Sequence, residues 1–220
     1  MRITHFDHAC VLVELPHDSA TVRVLFDPGT YSQGFEELRD LDLILITHAH
    51  PDHLDPARSA ALLEANPDAE VVLSADAAAA LGDARPAPTR THVVAPGDTV
   101  TLRGIEVTVT GDGGHACIHP DLPGTDNNGY LVGGTVLHPG DALDPPGVPV
   151  DVLLVPAAGP WMKAAEAVDY VRAVAPRVAI PIHQAGLAPM HRQFHHGLLT
   201  NLSPDDTTVV VLEHGQPREL

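Results

Sequence analysis

The sequence predicts an α/β (α+β) protein in which two β-rich halves place two sheets face to face, with helices covering the outside as a four-layer αββα sandwich. Three observations carry this. Apolar, β-branched runs bounded by turn residues recur along the chain, as strands require. Two of these runs are each followed by a loop and then a helical stretch. The halves also echo one another. Asp42-Leu43-Ile44-Leu45-Ile46 resembles Asp151-Val152-Leu153-Leu154-Val155, and Val24-Leu25-Phe26-Asp27-Pro28-Gly29 resembles Val136-Leu137-His138-Pro139-Gly140-Asp141. Chance similarity between short apolar strands accounts for the echo as well as a repeat does.

Element by element, Ala9 to Leu15 and Thr21 to Asp27 read as strands, with Pro16-His17-Asp18-Ser19 as the turn between them. Asp27-Pro28-Gly29 ends the second strand. A short helix is expected around Phe35 to Arg39, then a strand over Asp42 to Thr47 whose unbroken apolar run suits burial on both faces. Asp55 is placed as an N-cap with Pro56 at the first helical position, opening a helix to about Asn66. Glu70 to Ser74 forms a strand and the Ala-rich stretch from Ala75 to Leu81 a helix. Strands follow over Thr91 to Val94, Thr99 to Leu102, Ile105 to Thr110, Gly129 to Val132, Thr135 to His138 and Asp151 to Val155. A helix over Lys163 to Val174, a strand over Val178 to Ile182 and a last strand near Thr207 to Leu212 complete the reading.

The 220 residues, 44% hydrophobic, suffice for one domain spanning 1–220 with a sizeable core. Neither a signal peptide nor a membrane-spanning run is expected. Two cysteines, Cys10 and Cys117, are too few for a disulfide framework and suit a cytoplasmic protein. The net charge of −17, from 29 acidic against 12 basic residues, argues against nucleic acid as a partner. A small-molecule substrate is the expected partner; self-association into a homo-oligomer stays open. Bound divalent metal would create a local positive field, so this charge does not by itself exclude an anionic substrate.

His48-Ala49-His50-Pro51-Asp52-His53 packs three imidazoles and a carboxylate into six residues directly after a buried strand. These are the donors that zinc and other borderline divalent metals prefer. In an extended loop, alternate positions turn two imidazoles onto one ion, and the adjoining Asp52 and His53 reach a second.

The string resembles the H-x-H-x-D-H signature of the metallo-β-lactamase superfamily. Further matches lie in Gly113-Gly114-His115-Ala116, in Leu137-His138-Pro139-Gly140-Asp141 and in Ile180-Pro181-Ile182-His183. The resemblance implies that His48, His50 and His115 bind one metal, that Asp52, His53 and His183 bind a second, and that Asp141 bridges them. The cofactor it implies is a pair of divalent ions, zinc first, with manganese or iron as alternatives. Asp27 matches an acidic residue that braces the metal loop by hydrogen bonds; turn initiation before Pro-Gly is its other reading.

Thr4-His5-Phe6-Asp7-His8-Ala9-Cys10 resembles the Gly-His-(Ala/Ser) start of the branch containing L-ascorbate-6-phosphate lactonase and the phospholipase D acting on N-acylethanolamine phospholipids, with Asp7 where Gly is usual. The segments at Ala165-Glu166-Ala167-Val168 and before His183 fit the same branch. His8 is therefore either a substrate-positioning or proton-donating group or a buried structural histidine. His119, His138, Trp161, His191, His195 and His196 are read as surface residues by default, and Cys117 as a small core or loop residue.

The implied activity is that of a metal-dependent hydrolase, with a metal-bridging hydroxide attacking a lactone, ester or phosphodiester and Asp52 orienting it. Gly-x-Ser-x-Gly is missing, so a serine nucleophile is not expected. No glyoxalase-type helical extension, inserted nucleic-acid domain or flavodoxin module is expected. The competing reading is a metal-binding or redox-sensing protein of the same fold without efficient hydrolysis. A scaffold with an empty site would strand many inward polar groups.

Overall fold

The computed structural model describes residues 1–18 and 20–220. The first half contributes β1 (Arg2–His5), β2 (Val11–His17), β3 (Ala20–Phe26), β4 (Leu43–Ile46), β5 (Glu70–Leu73) and β6 (Thr91–Val93), with helices α1 (Pro56–Ala65) and α2 (Ala75–Leu81) between the later strands. The second half contributes β7 (Thr99–Leu102), β8 (Ile105–Thr110), β9 (Gly129–Val132), β10 (Val136–His138), β11 (Val152–Pro156), β12 (Val178–Ile182) and β13 (Thr208–Val209), with α3 (Ala164–Val174) and α4 (Pro189–Leu202). A closing strand, β14 (Arg218–Glu219), returns to the first sheet.

The two seven-stranded sheets share one plan. One runs β14-β1-β2-β3-β4-β5-β6, the other β13-β12-β11-β10-β9-β8-β7. In the first, pairs up to β2–β3 are antiparallel and those from β3–β4 onward are parallel. In the second, β7 to β10 pair antiparallel and β10 to β13 parallel. The echoed segments fall at equivalent places: β3 and β10 each open the parallel part of their sheet, and β4 and β11 follow them. The two sheets thus share a pairing pattern in which the echoed segments correspond.

Side-chain alternation shows why the strands read as unbroken apolar runs. Leu43 and Leu45 of β4 join Val152 and Leu154 of β11 in a core between the sheets. Ile44 and Ile46 face a second core with Leu62 and Leu63 of α1 and Ala77 and Leu81 of α2. Leu153 and Val155 face a third with Val168 and Val171 of α3 and Leu199 of α4. Three cores between four layers make the αββα sandwich, and central strands covered on both faces carry no polar alternation.

The helix start at Asp55 is as expected. Its Oδ1 accepts from the Ala57 and Arg58 amides, both at 3.1 Å, with Pro56 at the first position. Elsewhere local expectations give way. The helix around Phe35 is a single 3-10 turn, Phe35–Glu37. Pro16 and His17 belong to β2, Asp18 turns at φ 50°, and the Ser19 of the expected turn lies outside the described residues. The strand expected near Thr207 to Leu212 shortens to β13, while β1, β14 and α4 are additions.

Candidate metal centre

The site forms where the parallel strands of both sheets end, the usual place for ligand-binding loops in such sheets. Thr47 and the His48–His53 loop follow β4. His115 comes from the loop between β8 and β9, Asp141 from the turn after β10, and His183 from the residue after β12, at φ 59°. His8 comes from the loop between β1 and β2, where Asp7 and His8 take φ 66° and 49°. That left-handed conformation favours glycine, and Asp is among the few other residues that tolerate it. Asp7 therefore occupies a glycine-type backbone position.

Two glycines let the loops close. At Gly29, a Cβ would fall 1.9 Å from the Asp52 carbonyl oxygen and 2.5 Å from the His53 amide. At Gly140 (φ 63°) a Cβ would meet Asn127 Oδ1 at 2.1 Å and Thr47 Cβ at 2.9 Å. The turn after β3 is thus pressed against the His48–His53 loop, held by Thr30 N–H to Pro51 O at 2.8 Å and Asp55 N–H to Pro28 O at 3.1 Å.

All seven residues expected as ligands are brought together in two adjoining groups, each with donor atoms within 4.8 Å of one another: His48, His50, His115 and Asp141 in one, and Asp52, His53 and His183, joined by His8, in the other. Four of the five candidate imidazoles, those of His48, His53, His115 and His183, are oriented through the far nitrogen. Asp27, fully buried, accepts from Thr47 N–H and Thr47 Oγ1–H, both at 2.8 Å, and from His53 Nδ1–H at 2.7 Å. His48 Nδ1 meets Thr47 Oγ1 at 3.0 Å, while His115 and His183 donate from Nδ1 to the Ala116 and Ala158 carbonyls, each at 2.5 Å. Such contacts fix the tautomer and leave Nε2 facing the site.

The facing atoms want a cation. His48 Nε2, His53 Nε2, His183 Nε2 and Asp141 Oδ1 are buried and make no hydrogen bond, although His53 Nε2 lies 3.0 Å from Asp141 Oδ1 and His183 Nε2 lies 3.1 Å from Asp141 Oδ2. They approach without hydrogen-bond geometry, as donors aimed at a common point do. The protonation pattern agrees. Burial, then the neighbouring His53, pushes His48 well below its usual pKa; burial and His115 lower His50. Burial also opposes charge on His53 and His183, but the carboxylates outweigh it: Asp141 and Asp27 hold His53 well above its usual value, and Asp141 and Asp52 raise His183 to about 9. Burial opposes ionisation of Asp141 and Asp52 as well. His53 and His183 keep Asp141 ionised, and the His183 imidazole nearby and the hydrogen bond from His8 keep Asp52 so. The facing carboxylates thus favour positive charge on this cluster, a charge that divalent cations would supply.

His8 differs from the rest of its group. Its Nδ1 accepts from the Ala185 amide at 3.4 Å, so Nε2 carries the proton and donates to Asp52 Oδ2 at 3.0 Å. Burial lowers its pKa to about 4, leaving the ring neutral. Buried and site-facing are both true of it.

Several residues read as surface by default are not. His138 is fully buried, stacked on Phe26 at 5.1 Å, and donates from Nε2 to the Ala9 carbonyl at 3.0 Å. Trp161 Nε1–H donates to Asp141 Oδ2 at 2.8 Å. His195 Nδ1–H donates to the Ala157 carbonyl at 2.7 Å, and its ring lines a cavity beside His8. Asn127 also went unremarked in the sequence: its Oδ1 accepts from Asp141 N–H and its Nδ2 donates to Pro139 O, both at 2.9 Å. His191 is exposed, and His119 and Cys117 are exposed on the loop after His115.

Two cavities reach the cluster. One of about 420 Å³ lies on the His50 and His115 side beneath the loop carrying Cys117 and His119. The other, of about 390 Å³, has His8, Asp52 and His183 in its wall.

This sandwich, with a mixed His and carboxylate cluster at its strand ends, defines a class, and comparison with known proteins agrees. A family model described as "Beta-lactamase superfamily domain" matches residues 2–183. Protein Rv0786c of Mycobacterium tuberculosis is 49% identical over 216 residues, covering 96% of each chain. A UPF0173 metal-dependent hydrolase of Thermoplasma acidophilum is 30% identical over 203 residues, covering 83% of each. The fold resembles that of Igni18, a metallo hydrolase from Ignicoccus hospitalis, with a TM-score of 0.74 at 20% identity over 100% of this chain and 98% of that one. The chain belongs to the metallo-β-lactamase superfamily and, within it, to the UPF0173 metal-dependent hydrolase family.

Proposed function

We propose that this protein hydrolyses an ester, lactone or phosphodiester bond of a small molecule at a centre of two divalent ions, zinc first among the candidates. The observation that carries the reading is the pair of adjoining donor groups with four buried donor atoms lacking hydrogen-bond partners. His48, His50 and His115 would hold one ion, Asp52, His53 and His183 the other, with Asp141 between them. Divalent ions bound there supply Lewis acidity and bring the pKa of water toward neutrality.

The chain's own groups do the remaining work. Asp52, its Oδ2 engaged by His8, orients the attacking water and takes its proton on Oδ1. For an acyl substrate, the water oxygen bonds to the acyl carbon, the acyl carbon–oxygen bond breaks, and the leaving alkoxide receives a proton, giving acid and alcohol. His8, neutral and donating from Nε2, holds Asp52 in place, and the proton that Asp52 took from water passes to the leaving oxygen. Trp161 and Asn127 hold Asp141 from opposite sides.

The glycine-type conformation at Asp7 supports kinship with the L-ascorbate-6-phosphate lactonase-like branch, whose pattern has Gly there. Two unpaired cysteines fit a reducing, cytoplasmic setting. Among the described residues, no helix is long and apolar enough to cross a membrane.

The test is elemental analysis of the purified protein beside a His48→Ala/Asp141→Ala double variant, followed by a hydrolysis screen with the metal found. About two equivalents, lost in the variant, are expected from a seven-ligand set. Absence of metal after reconstitution would overturn the reading. Metal without turnover of any ester, lactone or phosphodiester would favour a metal-binding or redox-sensing role.

A further inference from the structure

The cavity beside His8 is shaped for one kind of substrate. Its floor is His8, Asp52 and His183, so any molecule seated there presents a bond to the reacting groups. Its walls are Tyr31, Pro160, Met162 and Leu187, which are apolar apart from the tyrosine hydroxyl. Tyr31 stands at the rim, 57% exposed, with its ring edge-on to His8 at 5.1 Å. At about 390 Å³ the space lies near the small end of ligand cavities, which run from roughly 300 to 1,000 Å³.

Charge sharpens the picture. Among the described residues, no lysine or arginine lines this cavity or the one on the His50 side. Phosphate and carboxylate groups are ordinarily gripped by arginine forks or lysine ammonium groups. The chain's one lysine, Lys163, is exposed at the start of α3 and outside both walls. Away from bound cations, the net charge of −17 adds no attraction for an anion. Besides Tyr31, one further polar side chain of the lining lies away from the floor. His195 spends its Nδ1–H on the Ala157 carbonyl at 2.7 Å, which leaves Nε2 as a hydrogen-bond acceptor.

We propose that the substrate is an uncharged carboxylic ester or lactone, whose small apolar group lies against Met162 and Leu187 and whose hydroxyl or amide N–H donates to His195 Nε2. The proposal rests on the hydrolase reading above and narrows its substrate class. His195 is on this account a positioning residue for specificity.

The experiment uses the metal-loaded protein and three lactones matched in ring: one with a neutral hydroxyalkyl chain, one with the same chain lacking the hydroxyl, and one bearing a phosphate. A bis-aryl phosphodiester completes the panel. The neutral lactones should exceed the phosphate-bearing one in kcat/KM by about 100-fold, a discrimination of ~2.7 kcal/mol. Leu187→Arg should narrow that ratio at least tenfold by raising KM for the neutral lactones and lowering it for the phosphate. His195→Phe should raise KM about tenfold for the hydroxyalkyl lactone and leave the deoxy analogue unchanged, a split that a merely structural role would not produce.

Binding is read separately from turnover. Trp161 is the only tryptophan and sits 6.1 Å from the His183 ring, so its emission reports on the site. A neutral hydroxyalkyl lactam, which resists hydrolysis, should shift that emission saturably in the wild type and not in Leu187→Arg. If the lactam binds in this way but no substrate is hydrolysed, the cavity assignment stands and the hydrolase reading fails. If hydrolysis occurs while the lactam leaves Trp161 unchanged, or the phosphate lactone or phosphodiester is the better substrate, the substrate class proposed here is overturned.

Discussion

The two halves of the molecule repeat one architecture and contribute to the centre in opposite styles. The first half places four of the seven candidate ligands on one six-residue loop after β4, braced from beneath by Asp27 after β3. The second half supplies His115, Asp141 and His183 singly, from three separate loops, braced by Asn127, Trp161 and two main-chain carbonyls. The echoed residues Phe26 and His138 stack on one another between the halves, with ring planes 21° apart. A local cluster is held by one buried carboxylate. A dispersed set needs a separate brace for each member, so damage to one brace should be more local.

The largest expected effect breaks the junction itself. Gly29→Ala would place a methyl group within bonding distance of the Asp52 carbonyl, so the whole first-half loop must move. We expect a loss of about 3 kcal/mol or more, which lowers Tm by roughly 6–12 °C in a chain of this size. Any metal held there should be lost as well, as measured by thermal unfolding and elemental analysis. Gly140→Ala, its counterpart after β10, meets the Asn127 side-chain amide and Thr47 Cβ instead, and the flexible end of a side chain yields more easily than a carbonyl. It should destabilise less and disturb the candidate ligands His48 and His50 less than Gly29→Ala does. Equal damage from the two would remove the contrast.

Asp27→Asn comes next. The amide has one acceptor oxygen where the carboxylate has two, so its NH2 group faces either the Thr47 amide or the Thr47 hydroxyl and His53, and the brace on His53 weakens. Metal retention at the Asp52, His53 and His183 group should weaken about 10–100-fold in chelator competition. On the second half, Trp161→Phe removes one donor to Asp141 Oδ2, while Asn127 still holds the Asp141 backbone. There the expected loss is about tenfold, with folding stability nearly unchanged.

The same contrast decides what was legible in the sequence. The His48–His53 loop announces itself because its chemistry is contiguous, and the four-layer fold because β4 and β11 are apolar on both faces. Asp141 and His183 were reachable through resemblance to a family pattern and not through their own neighbourhoods. Trp161, His195, Asn127 and His138 act through partners far along the chain, from 12 residues away for Asn127 and Pro139 to 129 for His138 and Ala9. No local spacing encodes such contacts. The missed elements have the same origin. In α4 only Leu199 is buried and Gly197 interrupts the pattern, so no apolar stripe marks it. β14 is two exposed residues that pair with Arg2 and Ile3 only because the chain end returns there.

The smallest expected effect lies far from the centre, in the charge pairs of the two sheets. Glu14 on β2, its side chain 7% exposed, receives Arg2 Nε at 2.5 Å and lies 3.5 Å from Arg23. The hydrogen bond from Arg2 lowers its pKa, against some opposition from burial. A carboxyl more acidic when folded than unfolded adds stability that is complete above the ordinary carboxylate pKa and disappears as pH falls through the lowered folded value. Wild-type protein should therefore lose Tm through this pair as pH drops below about 4.5, and Glu14→Gln should flatten that part of the profile while lowering Tm slightly at pH 7. In the second sheet, Asp151 pairs with an Arg177 whose side chain is 55% exposed. Solvent screens that pair and long side chains lose entropy in making it, so Asp151→Asn should leave both Tm and its pH profile nearly unchanged. An equal flattening from both substitutions would mean that burial of Glu14 is not what gives its pair an effect.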